Sequence, residues 1–156
     1  MLELEIAGEA RQESLGSLLA QQITPPCILY LEGDLGTGKT TLARGILRGF
    51  GYQGRVKSPT YTLLEPYELA HLACYHFDLY RLADAEELTF IGIEDLLRDD
   101  AVLLVEWPER GRGVLPPPDL AIAIAYRGQS RSVRFTPASE KGIQIINNLQ
   151  KVWPQD

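Results

Sequence analysis

Eight consecutive residues, Gly33-Asp34-Leu35-Gly36-Thr37-Gly38-Lys39-Thr40, satisfy Gly-x-x-x-x-Gly-Lys-[Ser/Thr], the phosphate-binding P-loop pattern. Glycines let the backbone wrap close to a phosphate, and successive N–H groups at a helix N-terminus point inward at the anion. In such a loop Lys39 reaches the β- and γ-phosphates, and the Thr40 hydroxyl ligates Mg²⁺. Without the right flanks the same string is an ordinary glycine turn. Here Cys27-Ile28-Leu29-Tyr30-Leu31 reads as a buried strand before it, and Thr40 to Leu47 as a helix after it. The stretch from Gly33 through Thr41 is therefore predicted to contact a nucleoside triphosphate.

Binding alone is not hydrolysis, which also requires a metal and a positioned water. Two carboxylates follow apolar runs in the manner such chemistry needs. Asp78 ends Cys74-Tyr75-His76-Phe77, and Glu106 ends Ala101-Val102-Leu103-Leu104-Val105. Either is a candidate to hold Mg²⁺ or its waters, and a strand-end cap or salt bridge is the alternative for each. Ser58-Pro59-Thr60 lies between the P-loop helix and the next strand, where segments that sense a γ-phosphate occur; a simple Ser-Pro turn is its plainer reading. Trp107 follows Glu106 directly, ahead of Pro108 and a Gly/Arg-rich loop, and could stack, cover the site or merely pack. Arg81, Arg110 and Arg112 are candidates for a charge-stabilising arginine, none privileged by spacing, which predicts slow turnover by the chain alone. The only asparagines, Asn147 and Asn148, do not begin the guanine-reading Asn-Lys-x-Asp, so ATP is favoured over GTP.

The elements that must carry these residues alternate between β and α. Leu2 to Ile6 predicts an edge strand. Gly8 to Ile23 predicts a helix with Leu15, Leu18, Leu19 and Ile23 on one stripe, ended by Pro25-Pro26. The P-loop helix stops near Gly49–Gly51. Tyr61 to Tyr67 and Leu72 to Tyr80 read as a hairpin, and Ala83 to Leu97 as a helix broken at Gly92. Ala101–Val105 reads as a central buried strand. Asp119 to Tyr126 and Ser130 to Thr136 form a closing hairpin around Gly128, and Pro137 to Val152 a terminal helix. The predicted fold class is α/β: one P-loop NTPase-like, three-layer domain over residues 1–156, with a mixed, mainly parallel central sheet flanked by helices.

Composition narrows the class. At 156 residues the chain can bury a sizeable core, and 45% apolar with 23% charged residues is a globular balance. No apolar stretch is long enough to span a membrane, and the acidic start Met1-Leu2-Glu3-Leu4-Glu5 resembles neither a secretory signal nor a transit peptide. A cytoplasmic protein is expected. The formal charge of −6 argues against direct DNA or RNA backbone binding. One local basic group, Arg44, Arg48, Arg55 and Lys57, reads as a solvated face or as a docking surface for an acidic partner. Cys27 and Cys74 read as buried hydrophobes, and Cys74-Tyr75-His76 lacks the further ligands of a zinc site.

Four motifs in order carry a resemblance: Leu31 to Thr41, Lys57-Ser58-Pro59-Thr60-Tyr61, His76-Phe77-Asp78-Leu79-Tyr80-Arg81 and Val105-Glu106-Trp107. Together they resemble the TsaE (formerly YjeE) family, small bacterial ATPases needed to make threonylcarbamoyladenosine in tRNA. The resemblance implies an ATP- and Mg²⁺-dependent ATPase that supports a TsaD–TsaB complex and meets tRNA only through that complex. By position it implies that Lys39 and Thr40 bind phosphate and Mg²⁺, and that Thr60 belongs to a switch-like segment. It further implies that Asp78 and Glu106 organise the metal and the attacking water, with Trp107 beside them. Two other readings are a small-molecule kinase, with Arg110-Gly111-Arg112-Gly113 as a short lid, and a nucleotide-dependent binding module with negligible turnover.

Overall fold

The computed structural model describes residues 1–154. In chain order the elements are β1 (Leu2–Ile6), α1 (Glu9–Ala20), β2 (Cys27–Glu32), α2 (Lys39–Gly49), β3 (Leu64–Glu68) and β4 (Ala73–Asp78). They continue through α3 (Glu86–Phe90), α4 (Ile93–Leu96), β5 (Ala101–Glu106), a 3₁₀ turn over Pro108–Gly111, β6 (Leu120–Arg127), β7 (Ser130–Pro137) and α5 (Glu140–Val152).

Among the described residues, seven strands form one sheet in the order β1-β7-β6-β2-β5-β4-β3. The four central strands, β6, β2, β5 and β4, run parallel, and antiparallel strands close both flanks. The pattern follows from burial. β4 and β5 are buried at every position, as strands covered on both faces must be. The edge strand β3 is half-exposed and carries Pro66, a residue a central strand could not accommodate.

Side-chain alternation divides the core into two layers. Leu29, Leu31, Val102, Leu104, Ile122 and Phe135 point to the face covered by α1, α2 and α5. Tyr75, Phe77, Leu103 and Val105 point to the other face, where Leu88 of α3 and Ile93 of α4 pack. The result is a three-layer α/β arrangement with a mixed sheet, as the sequence predicts. No helix among the described residues is long and apolar enough to cross a membrane.

The tightest helix contact is between α1 and α2, and glycine makes it. A Cβ on Gly16 of α1 would lie 2.5 Å from the Leu42 carbonyl oxygen, and one on Gly45 of α2 would collide with the Glu13 carbonyl oxygen. Both obstacles are backbone, so neither can rotate aside. Gly45→Ala is expected to destabilise the fold by roughly 1–3 kcal/mol, the usual cost of overpacking. Urea unfolding followed by circular dichroism measures it, and an unchanged midpoint would refute the close crossing.

Several boundaries differ from expectation; among them, β4 ends at Asp78 and α5 starts at Glu140. Residues 59–63 form a turn, closed by the Leu63 N–H donating to Pro59 O at 2.8 Å, so β3 begins at Leu64 and not at Tyr61. The helix expected over Ala83 to Leu97 is broken at Gly92, φ 81°, as the sequence predicts, but its two pieces are shorter: α3 starts at Glu86 and α4 ends at Leu96. α1 ends at Ala20, with Ile23 buried beyond it and Leu18 only partly covered.

Two of the four residues of the local basic group are engaged within the fold, and Arg55 and Lys57 are exposed. Arg44 pairs with Glu9 and Glu13 of α1, each at 3.6 Å, and Arg48 donates to the carbonyl oxygens of Tyr52 and Gly54. Cys27 and Cys74 are free and buried. Burial pushes the Cys27 thiol up to about 12 and that of Cys74 strongly upward, so both behave as inert hydrophobes.

Candidate functional site

Parallel pairing brings the two predicted carboxylates together. Asp78 and Glu106 are register partners at the carboxyl ends of β4 and β5, and Glu106 is in turn the register partner of Leu31 in β2. The period of two puts Cys74, His76 and Asp78 on one side of β4, and Val102, Leu104 and Glu106 on the same side of β5. That side is the one α2 covers, so both acids lie beneath the start of the P-loop helix.

A cavity of about 270 Å³ opens there. Leu35, Gly36, Gly38, Lys39, Thr40 and Thr41 line it from the loop and α2, Asp78, Glu106 and Trp107 from the facing strand ends, and Thr60 from the 59–63 turn. Ten of the predicted site residues thus converge on one space. Gly33, Asp34 and Thr37 sit beside it: the carbonyl oxygens of Gly33 and Asp34 accept hydrogen bonds from Lys39 Nζ, and Thr37 faces a neighbouring cavity.

Glu106 is 2% exposed, and the Thr40 hydroxyl donates to its Oε2 at 3.2 Å. Asp78 is 5% exposed; its Oδ1 accepts from the Tyr80 N–H at 3.0 Å and its Oδ2 from the Thr60 hydroxyl at 3.1 Å. Ser58 Oγ lies 2.8 Å from Thr60 Oγ1. The Ser58-Pro59-Thr60 segment is therefore tied to a strand-end carboxylate, which a simple turn would not require.

Burial holds the Lys39 ammonium below its ordinary value, against the opposing pull of Glu106, Asp78, Glu109 and Asp34. Its Nζ also sits 4.3 Å from the centroid of the Trp107 ring. Trp107 reaches that position from a left-handed backbone, φ 57° and ψ 52°, a conformation that costs a bulky residue on the order of 1 kcal/mol. Its ring packs against Tyr80 with centroids 4.9 Å apart.

Desolvation raises the Asp78 carboxyl above the usual carboxylate range, Glu106 adds to the rise, and the Tyr80 N–H, Thr60 and His76 oppose it. The folded protein thus binds this proton more tightly than the unfolded chain does. Linkage makes this contribution favour folding as pH falls through the interval between the raised value and the ordinary one, and oppose folding above it. Asp78→Asn, which can keep both hydrogen bonds, is expected to raise the melting temperature of the ligand-free protein by about 2–4 °C at pH 7–8. The gain should shrink as the pH approaches 4, and a gain independent of pH would refute the assignment.

Sequence reasoning missed three contributors. Gln12 of α1, 4% exposed, donates from Nε2 to Gly38 O at 2.8 Å and to Thr37 O at 3.2 Å, clasping the loop from behind. Gly38 has φ 100°, and a side chain there would collide with that amide. Arg131 of β7 donates to Thr37 O at 3.3 Å and lies 4.4 Å from the centroid of Tyr126, whose hydroxyl donates to Leu35 O. The third is His76, wholly buried with its Nε2 2.6 Å from Glu106 Oε2. The available signals were a polar residue in register with Leu15 and Leu19 on a core-facing helix, and a histidine on the same strand face as Asp78.

Gln12 and Arg131 also border a second cavity of about 280 Å³, together with Gly8, Glu9 and Gln129. Gly36, Gly38 and Thr41 line both cavities, so the two adjoin across the loop. The arginines singled out from the sequence lie elsewhere. Arg81 stacks on Tyr61 and Arg110 on Tyr80, while Arg112 lines a separate recess with Tyr30 and Glu32. In the lid-like stretch Gly111 is buried in the 3₁₀ turn, where a Cβ would meet Leu115 and Leu79, while Arg110, Arg112 and Gly113 are exposed.

A parallel sheet core, a glycine loop joining β2 to α2, and two acids at adjoining strand ends define an α/β protein of the P-loop type. Residues 6–134 match the family described as Threonylcarbamoyl adenosine biosynthesis protein TsaE. The chain belongs to the TsaE family. The tRNA threonylcarbamoyladenosine biosynthesis protein TsaE of Haemophilus influenzae is 52% identical over 120 residues, covering 77% of this chain and 76% of that one. The Bacillus subtilis protein of the same name is 34% identical over 140 residues, covering 89% of this chain and 87% of its own. A crystal structure of Bacillus subtilis YdiB superposes with a TM-score of 0.82 at 28% identity, covering 96% of this chain and 94% of that chain. The family places this chain in the biosynthesis of threonylcarbamoyladenosine in tRNA.

Proposed function

We propose that this chain is a Mg²⁺-dependent ATPase that supports a TsaD–TsaB complex in forming threonylcarbamoyladenosine in tRNA, in the cytoplasm. The observation that carries the reading is the convergence of Lys39, Thr40, Asp78 and Glu106 on one cavity at the carboxyl edge of the sheet. Ligands of open α/β sheets bind at that edge. The adjoining cavity of about 280 Å³, beside Gln12 and Arg131, supports the reading as room for a base and ribose across the loop.

The residues suit Mg²⁺. A hydroxyl and two carboxylates form an all-oxygen donor set, Thr40 and Glu106 already touch, and a small hard cation takes its remaining ligands from phosphate and water. Bound there, the ion supplies charge neutralisation on the phosphates. The chain does the rest. Loop N–H groups and Lys39 hold the β- and γ-phosphates as charge develops. Asp78 and Glu106 orient the attacking water, whose oxygen bonds to the γ-phosphorus as the bond to the bridging oxygen breaks, the water's proton passing to the Glu106 carboxylate and ADP leaving with the bridging oxygen. Thr60, hydrogen-bonded to Asp78, links the γ-phosphate region to the 59–63 turn. A chain that holds partners differently in its ATP and ADP states converts this cycle into a change of partner affinity.

The test is phosphate release by the purified protein with TsaB and TsaD. Turnover above that of a Glu106→Ala control is expected, and turnover equal to it removes the reading.

A further inference from the structure

We propose that His76 is a positioning residue that fixes the Glu106 carboxylate for metal and water, an inference that rests on the ATPase reading above. His76 is wholly buried on β4. On its strand face it follows Cys74, and its register partner on β5 is Leu104; both are buried and apolar. Its Nδ1 has no hydrogen-bond partner. A histidine placed there for packing would be replaceable by leucine with a gain, because burying a polar ring with one nitrogen unpaired costs free energy. What the ring does make is one short contact, 2.6 Å from Nε2 to Glu106 Oε2.

The direction of that bond follows from the orphaned atom. If Nε2 accepted, Nδ1 would carry a buried hydrogen with nowhere to donate it. Unpaired buried donors are rarer than under-satisfied acceptors. The Nε2–H form therefore donates to Glu106, and Nδ1 is left as the orphan acceptor. Glu106 Oε2 then receives two donors, His76 and the Thr40 hydroxyl at 3.2 Å, while Oε1 has only a 3.5 Å contact with Thr40. One oxygen is pinned and the other is left for the chemistry. Partners of this kind set the orientation of metal-binding side chains, and their loss lowers metal affinity by roughly 10–100-fold.

Two amide substitutions separate positioning from packing. In His76→Gln the terminal amide reaches the place of Nε2 and can still donate to Glu106. In His76→Asn it reaches only the place of Nδ1, so the polar burden is similar but the bond is lost. His76→Phe removes both nitrogens at near-constant volume. Each variant and the wild type are titrated with a non-hydrolysable fluorescent ATP analogue, in EDTA and across a Mg²⁺ series, alongside melting temperature and turnover.

All variants are expected to bind the analogue in EDTA within about threefold of wild type, since Glu106 acts through the metal. Gln is expected to keep the Mg²⁺ response, while Asn and Phe raise the half-saturating Mg²⁺ by roughly tenfold or more and lower turnover. If Phe does not fold, the Gln and Asn pair decides. A wild-type Mg²⁺ response in Asn overturns the assignment, as does a Gln variant no better than Asn. A wild type that neither binds nor hydrolyses ATP is a different result, for it removes the ATPase reading and the positioning role with it.

Discussion

Glu106→Gln is expected to lower ATP turnover by roughly 100–1000-fold while the protein still binds nucleotide. The substitution keeps the size of the side chain and an oxygen able to accept from Thr40. It removes the negative charge that would hold Mg²⁺ or draw a proton from water. It also relieves the repulsion between two carboxylates that are register partners, so the fold should not suffer. Loss should therefore fall on kcat and not on the affinity for ATP measured at saturating Mg²⁺. Single-turnover phosphate release, measured beside equilibrium binding of an ATP analogue, separates the two. An unchanged rate would move the central role to Asp78, the other acid in the cavity.

Lys39→Met should have the complementary effect, weakening ATP binding by roughly 100-fold and ADP binding by less. A hydrogen bond to a charged group contributes about 1.5–3 kcal/mol, and Lys39 is the one ammonium that lines this cavity among the described residues. Its Nζ is held against Gly33 O and Asp34 O, next to the Trp107 ring. To meet a γ-phosphate it exchanges two carbonyl acceptors for an anion, which favours the longer nucleotide. Methionine retains the buried stem without the charge. Calorimetric titration with ATP and ADP checks both the size and the order, and equal losses for the two nucleotides would contradict a γ-phosphate contact.

What the sequence made legible was what local chemistry determines. The P-loop is a contiguous motif, β2 and β5 are short apolar runs that read as buried strands, and β4 was legible as one arm of a hairpin. Asp78 and Glu106 were visible because an acid after such a run sits at a strand end. The same logic failed over Tyr61 and Thr62, whose β preference yields to the turn closed between Leu63 and Pro59. It could not reveal Gln12 or Arg131, which meet the loop from 25 and 94 positions away. Their side chains matter only once α1 crosses α2 and β7 closes the sheet. His76 was quoted within a motif, yet its role depends on a pairing between strands 30 residues apart.

The crossing of α1 over α2 has a mechanical consequence. At Gly16 and Gly45 the two helices meet backbone to backbone, with no intervening layer of side chains along which to slide. The helix that grips the phosphate loop through Gln12 and the helix that the loop starts are therefore one stiff lever. α1, the glycine loop and α2 are thereby coupled at three points, Gly16, Gly45 and the Gln12 amide, so a displacement of one of them would be carried by all three.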